Sequence, residues 1–187
     1  NGIRDQVQPE QQAREDIDRL LSAAGWRVFD IAEANIHAAR GVALREFPLE
    51  AGYGFADYLL YLDAKAAGLI EAKKQGATLT GVEIQSGKYA RGLPAALPAW
   101  RRPLPFLYES TGIETHFTNG LDPEPRARPT FAFHTPELLS DWLRFEGGAA
   151  TGANIAASPA PTFLARLKTL PPLVLISSVS ISVVVPE

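Results

Sequence analysis

Cysteine and methionine are absent from this 187-residue chain, and histidine occurs only three times. Without cysteine there can be no disulfide and no thiolate-bound zinc or iron–sulfur centre, which fits a reducing compartment. His37, His116 and His134 are far apart and lack metal-ligand spacing, so they read as ordinary surface or hydrogen-bonded histidines. No methionine opens the chain, which reads as a piece of a longer protein. The polar start NGIRDQVQPEQQ is neither a signal peptide nor a membrane helix. No G-x-x-x-x-G-K-[ST] sequence occurs, so the chain has no P-loop and no ATP site of its own. An excess of positive charge is also missing: the formal net charge is −3 and the isoelectric point is near 5.7. A strongly basic nucleic-acid footprint is thereby excluded. Any DNA contact must be local, or the rest of a larger assembly must supply the positive surface. Ser110 and Thr111 have no evident His/Asp partners, so a nucleophilic hydrolase is not indicated.

What is present is an ordinary globular composition, 46% hydrophobic and 21% charged. A domain of this length buries roughly two-thirds of its unfolded surface and needs no disulfide staple. Residues 9–24 carry Ile17, Leu20, Leu21 and Ala24 at the spacing of one helical face, with Pro9 in the first turn and Gly25 as a C-cap. Trp26, Val28 and Phe29 suggest a short strand or a core-anchoring turn, and 31–41 a polar connection. VALREFPLE is extended, with Pro48 arguing for an edge or a bulge. FADYLLYLD and GLIEAKK read as strands joined by AKAAG. Their apolar runs suggest a sheet covered on both faces. Thr80 and Glu83 form a capping-box pattern that starts a helix near Gly81, with Gln85 and Tyr89 on one face of it. A Pro-rich crossover leads to the strand FLYEST, the short strands THFTN and PTFAFH, and a helix from Pro136. The order helix, three strands, helix, strand predicts a meander extended by a crossover: a three-layer α/β sandwich with a central mixed sheet. Residues 147–161 are Gly/Ala/Ser/Pro-rich and read as a linker. Residues 162–187 read as a short helix and an apolar tail, too short and serine-rich for a membrane span.

The chemistry-bearing residues cluster in the two strands. Glu71 and Lys73 are two apart and project together, and Ala72 projects opposite. If the hairpin closes with Leu62 opposite Gly68, Asp57 lies opposite Lys73 and Leu59 opposite Glu71. All three groups then share one face and one end. A one-residue slip would send Asp57 to the other face. Two converging carboxylates make a hard oxygen site for Mg²⁺, and the Ile70 or Ala72 carbonyl offers a further ligand. A nearby lysine can orient water or neutralise a phosphorus centre. The same spacing also fits an ordinary Asp–Lys cross-strand ion pair.

The residues carry more than the spacing. GFADYLLYLD followed by GLIEAKKQG resembles the nuclease motif of the PD-(D/E)xK superfamily, and specifically the N-terminal endonuclease domain of the R (restriction, motor) subunit of type I restriction–modification enzymes. The resemblance runs through EQQAREDIDRLLSAAGW, REFPL, TLTGVEIQSGKYARGLP, LPFLYESTGIETHFTN and FAFHTPELLSDWL, most of residues 10–145. Gln85 and Tyr89 stand where that family carries its Q-x-x-x-Y motif. Ala56 precedes Asp57 where the superfamily name has proline.

The resemblance implies a restriction-endonuclease-like α-β-β-β-α-β core over residues 1–146. It implies Asp57 and Glu71 as Mg²⁺ ligands, with Mn²⁺ as a substitute, and Lys73 as the catalytic lysine. Gln85 and Tyr89 would support the site or touch the DNA backbone. Lys74 and Lys88, with Arg91, Arg101 and Arg102, are candidates for a phosphate-binding patch. Many superfamily nucleases add an acid from the first helix; Glu10 and Glu15 are available, and a solvated helix face accounts for both. The implied partners are double-stranded DNA and the modification and specificity subunits, in the cytoplasm and away from membranes. ATP would act only through motor domains, which this chain lacks. LPPLVLISSVSISVVVPE does not resemble the start of a motor domain; a truncated, frame-shifted or engineered end accounts for it, as does a stand-alone protein with an unrelated tail. Two other functions remain open: a non-catalytic module of the same fold that docks DNA or partner subunits, and a repair or recombination nuclease of the same superfamily.

Overall fold

The computed structural model describes residues 9–79 and 83–148. In chain order these form helix α1 (Pro9–Ala23), strand β1 (Arg27–Asp30), a short 3₁₀ turn (Ile31–Glu33), strands β2 (Gly41–Pro48), β3 (Phe55–Leu62) and β4 (Lys65–Ala72), helix α2 (Glu83–Arg91), strands β5 (Phe106–Ser110), β6 (Thr115–Asn119) and β7 (Arg128–Thr130), and helix α3 (Pro136–Gly148). The strands make one seven-stranded mixed sheet in the order β1-β2-β3-β4-β5-β6-β7. β2, β3 and β4 form the predicted antiparallel meander. β5 then joins β4 in parallel, as a crossover through α2 requires. β1 lies parallel to β2 at one edge.

The central strands are covered on both faces. Ile17 and Leu21 of α1 and Leu139 and Leu143 of α3 pack with Tyr58, Leu60, Ile70, Phe106 and Tyr108. On the other face, Ala90 of α2 packs with Leu44, Leu59, Leu69 and Leu107. The three-layer reading therefore holds, with α1 and α3 in one layer and α2 in the other. Helix α1 ends as expected at Gly25, whose φ of 91° favours glycine, while the Trp26 N–H donates back to the Leu21 carbonyl.

A charged network pins α1 to the sheet. Arg45 of β2 grips the Asp18 carboxylate of α1 through Nε and Nη2, and its Nη1 reaches Asp30 of β1. The hydroxyl of Tyr58 on β3 lies 2.9 Å from Asp18 Oδ1. Burial and the neighbouring Asp18 charge push that phenol far above its usual range, so it stays a donor.

Several boundaries differ from expectation. The β3–β4 loop is only Asp63 and Ala64, so Lys65, Ala66 and Ala67 belong to the strand and not to a longer AKAAG loop. Both loop residues have positive φ, 47° and 63°, the conformation whose twist matches a two-residue hairpin. β1 covers the free side of β2 only at Val42–Arg45, so β2 is an edge beyond Arg45, where Pro48 is its last residue. Of PTFAFH only Pro129 and Thr130 are in a strand. Phe131 onward leaves the sheet, and Phe133 turns into the core. The proposed capping box includes Thr80, which lies outside the described residues. So do the linker and tail, apart from Gly147 and Gly148, which end α3.

β4 and β5 meet closely at Gly68. A methyl group built there would lie 2.3 Å from the Phe106 carbonyl oxygen and 2.8 Å from its Cβ. Gly68→Ala must force the two central strands apart and should cost about 1–3 kcal/mol of stability. Chemical denaturation checks this; an unchanged midpoint would mean that the strands separate freely. Removing the α1 anchor with Asp18→Ala should cost about 2 kcal/mol in the same assay, because Arg45 loses a charged partner.

Candidate active site

The site stands where the β3–β4 ladder runs out. From the turn, Leu62 pairs with Lys65 and Tyr61 with Ala66. The register then shifts, and Leu60 pairs with Gly68, Leu59 with Leu69 and Tyr58 with Ile70. Ala67 is the extra residue of a β-bulge. This corrects the expected pairing of Leu62 with Gly68: Asp57 comes level with Glu71, one step past the last pair, and not with Lys73. Beyond that pair the ladder bond is replaced by a side chain, as the Ala72 N–H donates to Asp57 Oδ2 at 2.8 Å.

Four of the predicted residues form one hydrogen-bonded line. Lys73 Nζ donates to Glu71 Oε1 at 2.8 Å and to Gln85 Oε1 at 3.1 Å. Gln85 Nε2 donates to the Tyr89 hydroxyl at 2.8 Å. Gln85 and Tyr89 meet because they are one turn apart on α2, and α2 lies over β4 and β5. Asp57 is the fifth member, close enough for its charge to act on Glu71. Lys74 and Lys88 are exposed; the Lys88 amine sits 6.0 Å over the Tyr53 ring. Arg91 is exposed as well. Arg102 is committed elsewhere, donating to the carbonyls of Leu93, Pro94, Ala95 and Leu97, so it clamps the crossover loop and leaves the phosphate patch. Glu10 and Glu15 are exposed on α1, as a solvated face predicts. Ser110 bonds Thr115 and the Gly112 N–H, a turn-building role. His134 sits in an aromatic nest with Tyr108, Phe117 and Trp142, with Nδ1 2.7 Å from the Tyr108 hydroxyl.

Three neighbours of the site were not singled out from the sequence. Glu109, 1% exposed, is the parallel-strand partner of Glu71. A lone acid inside the apolar strand FLYEST was its only signal. Arg14 of α1 donates through Nη2 to Asp57 Oδ1 at 2.8 Å, and its Nη1 pairs with Glu46. Glu46 stands at φ 50° in β2, a left-handed conformation that costs a residue other than glycine about 1–3 kcal/mol. Nothing in the local pattern of α1 or β2 marks either residue.

Burial, above all, pushes the Glu71 carboxyl above its usual range; the Lys73 hydrogen bond opposes this, and the Asp57 and Glu109 charges add to it. Glu71 Oε2 is buried without a hydrogen-bond partner. That orphaned oxygen, beside Asp57, is the kind of hard donor that Mg²⁺ takes, and one or two carboxylates suffice when waters complete the shell. The donor set therefore fits Mg²⁺. Among the described residues no group of three or more His, Asp or Glu side chains is arranged to hold a metal ion.

Comparison with known proteins bears on this region. Residues 32–109 match the family described as the second domain of the type I restriction enzyme EcoKI endonuclease subunit. Over that stretch the chain is similar to part of the endonuclease subunit of a type I restriction enzyme. The matched stretch contains Asp57, Glu71, Lys73, Gln85, Tyr89 and Glu109. The fold is also similar to a fragment assigned to an HsdR subunit of a type I restriction enzyme from Vibrio vulnificus YJ016, with 19% identity and a TM-score of 0.54. That similarity covers 76% of this chain and 26% of the other, so the chain spans about a quarter of that fragment's length. At this identity the likeness shows the fold alone. No curated protein matches the chain.

The pH dependence of stability reports on Glu71. A folded value above the ordinary 4.5 means that the folded protein holds the proton more tightly than the unfolded chain. The stabilisation this brings is full below the unfolded value and is lost as pH rises through the folded one. Without metal, Glu71→Gln should therefore gain in melting temperature relative to wild type as pH rises from about 4 to 8. A constant difference across that range would show that burial does not hold the proton on Glu71.

Proposed function

We propose that this chain is the Mg²⁺-dependent nuclease region of a type I restriction R subunit, hydrolysing phosphodiester bonds of double-stranded DNA without reading sequence itself. The observation that carries the reading is the bonded line Glu71–Lys73–Gln85–Tyr89 beside Asp57, inside the stretch that matches an R-subunit family. Sequence recognition would fall to the specificity subunit, and ATP-driven motion to motor domains elsewhere in the enzyme.

The chain's own residues have separable tasks. Asp57 and Glu71 would hold the ion, with Asp57 oriented by the Ala72 N–H and Glu71 offering Oε2. Bound Mg²⁺ would supply an activated water and neutralise charge on the phosphate. Lys73, one residue past the end of β4, has its amine held between the Glu71 and Gln85 oxygens and so cannot sample many positions. It would meet the charge that builds on the non-bridging oxygens as water adds to phosphorus and the bond to the leaving oxygen breaks. Gln85, itself held by Tyr89, fixes where that amine sits. Exposed Lys74, Lys88 and Arg91 would contact backbone phosphates, which position DNA without specifying sequence.

Plasmid nicking by the full R subunit in complex with its modification and specificity subunits tests the assignment. Asp57→Ala, Glu71→Ala and Lys73→Ala should each lower cutting by about 100-fold or more, with DNA-stimulated ATP hydrolysis intact. Wild-type cutting by all three would remove the site and favour a docking module. The isolated chain, with its net charge of −3, should cut little at physiological salt, because phosphate affinity depends on local cations alone.

A further inference from the structure

Asp57 has no free oxygen. Oδ2 accepts the Ala72 N–H, a rigid backbone donor at the end of β4. Oδ1 accepts Arg14 Nη2 at 2.8 Å. The other carboxylate of the pair differs: Glu71 Oε1 is taken by Lys73, but Oε2 is buried and has no partner. An ion that uses both acids finds Glu71 Oε2 open, whereas Asp57 Oδ1, the oxygen not tied to the backbone, is held by the arginine. A guanidinium and a divalent ion cannot share that oxygen cheaply, because two cations at contact distance repel strongly where water is scarce, and Asp57 is only 17% exposed.

Arg14 is placed to leave. Its side chain is 41% exposed, and its Nη1 already pairs with Glu46, which is 64% exposed. Breaking the Asp57 contact would still leave the guanidinium a partner and access to water. The α1 backbone need not move, because Asp18, one turn further on, is anchored to Arg45 independently. We propose that Arg14 is a placeholder cation: it neutralises Asp57 in the metal-free protein and is displaced when a divalent ion binds. Arg14 is a positioning residue in this role, since it keeps the Asp57 carboxylate turned toward the site before metal arrives. The inference rests on the reading of Asp57 and Glu71 as metal ligands.

The test measures metal binding, not cutting. Mg²⁺ and Mn²⁺ are titrated by calorimetry into wild type, Arg14→Gln and Glu46→Gln, with Asp57→Asn and the Asp57→Asn/Arg14→Gln double variant as the closing corner. Glutamine keeps a helix-forming, polar residue at position 14. Arg14→Gln should bind the ion about fivefold more tightly than wild type, the strength of a partly exposed ion pair no longer broken. Glu46→Gln leaves Arg14 with Asp57 as its one carboxylate partner and should weaken metal binding slightly. In the Asp57→Asn background the Arg14 change should make no difference. The melting temperature gives a second readout: Arg14→Gln should melt lower than wild type without metal, and the gap should close as Mg²⁺ is added. Equal or weaker metal binding by Arg14→Gln, with wild-type binding still dependent on Asp57 and Glu71, overturns the placeholder role and leaves the metal site standing. Absence of metal binding in every form overturns the metal reading and this inference with it.

Discussion

The site depends on one extra residue in strand β4. A two-residue turn that pairs Leu62 with Lys65 would, in an unbroken ladder, set Asp57 opposite Ile70. Because facing residues of antiparallel strands project to the same side, Asp57 would then share a side with a core isoleucine, and Glu71 would stand level with Ala56. The bulge at Ala67 moves the register by one and brings Asp57 level with Glu71. The turn's positive φ values and the bulge are therefore a matched pair: the first sets the twist, and the second sets which acids meet. The close contact of Gly68 with Phe106 belongs to the same constraint, because the residue after the bulge is also where β4 must lie tight against β5.

The cost of this arrangement is electrostatic. Glu71 is 5% exposed and Glu109 is its neighbour at 1%, both at the end of a sheet whose interior is apolar. Buried carboxylates are destabilising unless paired or protonated. Lys73 supplies one cation from just past the end of β4, and Arg14 supplies another from α1. Glu46, held in a left-handed conformation opposite this end of β3, anchors the far side of Arg14. Strain of that sort persists where surrounding structure over-determines it, and here Arg45 on one side and the buried Phe47 on the other leave β2 little choice.

The fold was legible because local patterns and global order agree. The helical spacing of Ile17, Leu20 and Leu21, the glycine after α1 and the apolar runs of β3 and β4 each point to the element that forms. The sequence Asp57, Glu71, Lys73, Gln85, Tyr89 was legible as a set because its members lie on three consecutive elements with short connections. Register was not. The loop AKAAG looks like five residues of turn because alanine favours neither strand nor turn, and nothing local reveals that Asp63 and Ala64 adopt positive φ. The assumed pairing erred by two in the sum of paired positions, which preserves facing, so the expected neighbourhood survived an incorrect ladder. Arg14 and Glu46 could not be read at all, since the contacts of Arg14 with Asp57 and with Glu46 join positions 43 and 32 apart and leave no periodic trace.

That distance along the chain has a physical consequence. Motif residues on β4 and α2 can be brought together by a hairpin and one crossover, whereas the cation on Asp57 arrives only when α1 docks. Docking relies on Asp18, which ties α1 to β2 through Arg45 and to β3 through Tyr58. Asp18 and Arg14 are one helical turn apart, so a helix held by the first delivers the second to the mouth of the site. The side chain that neutralises the catalytic candidate is thus set by tertiary packing, and the chemistry of the β3–β4 hairpin is complete only in the folded domain.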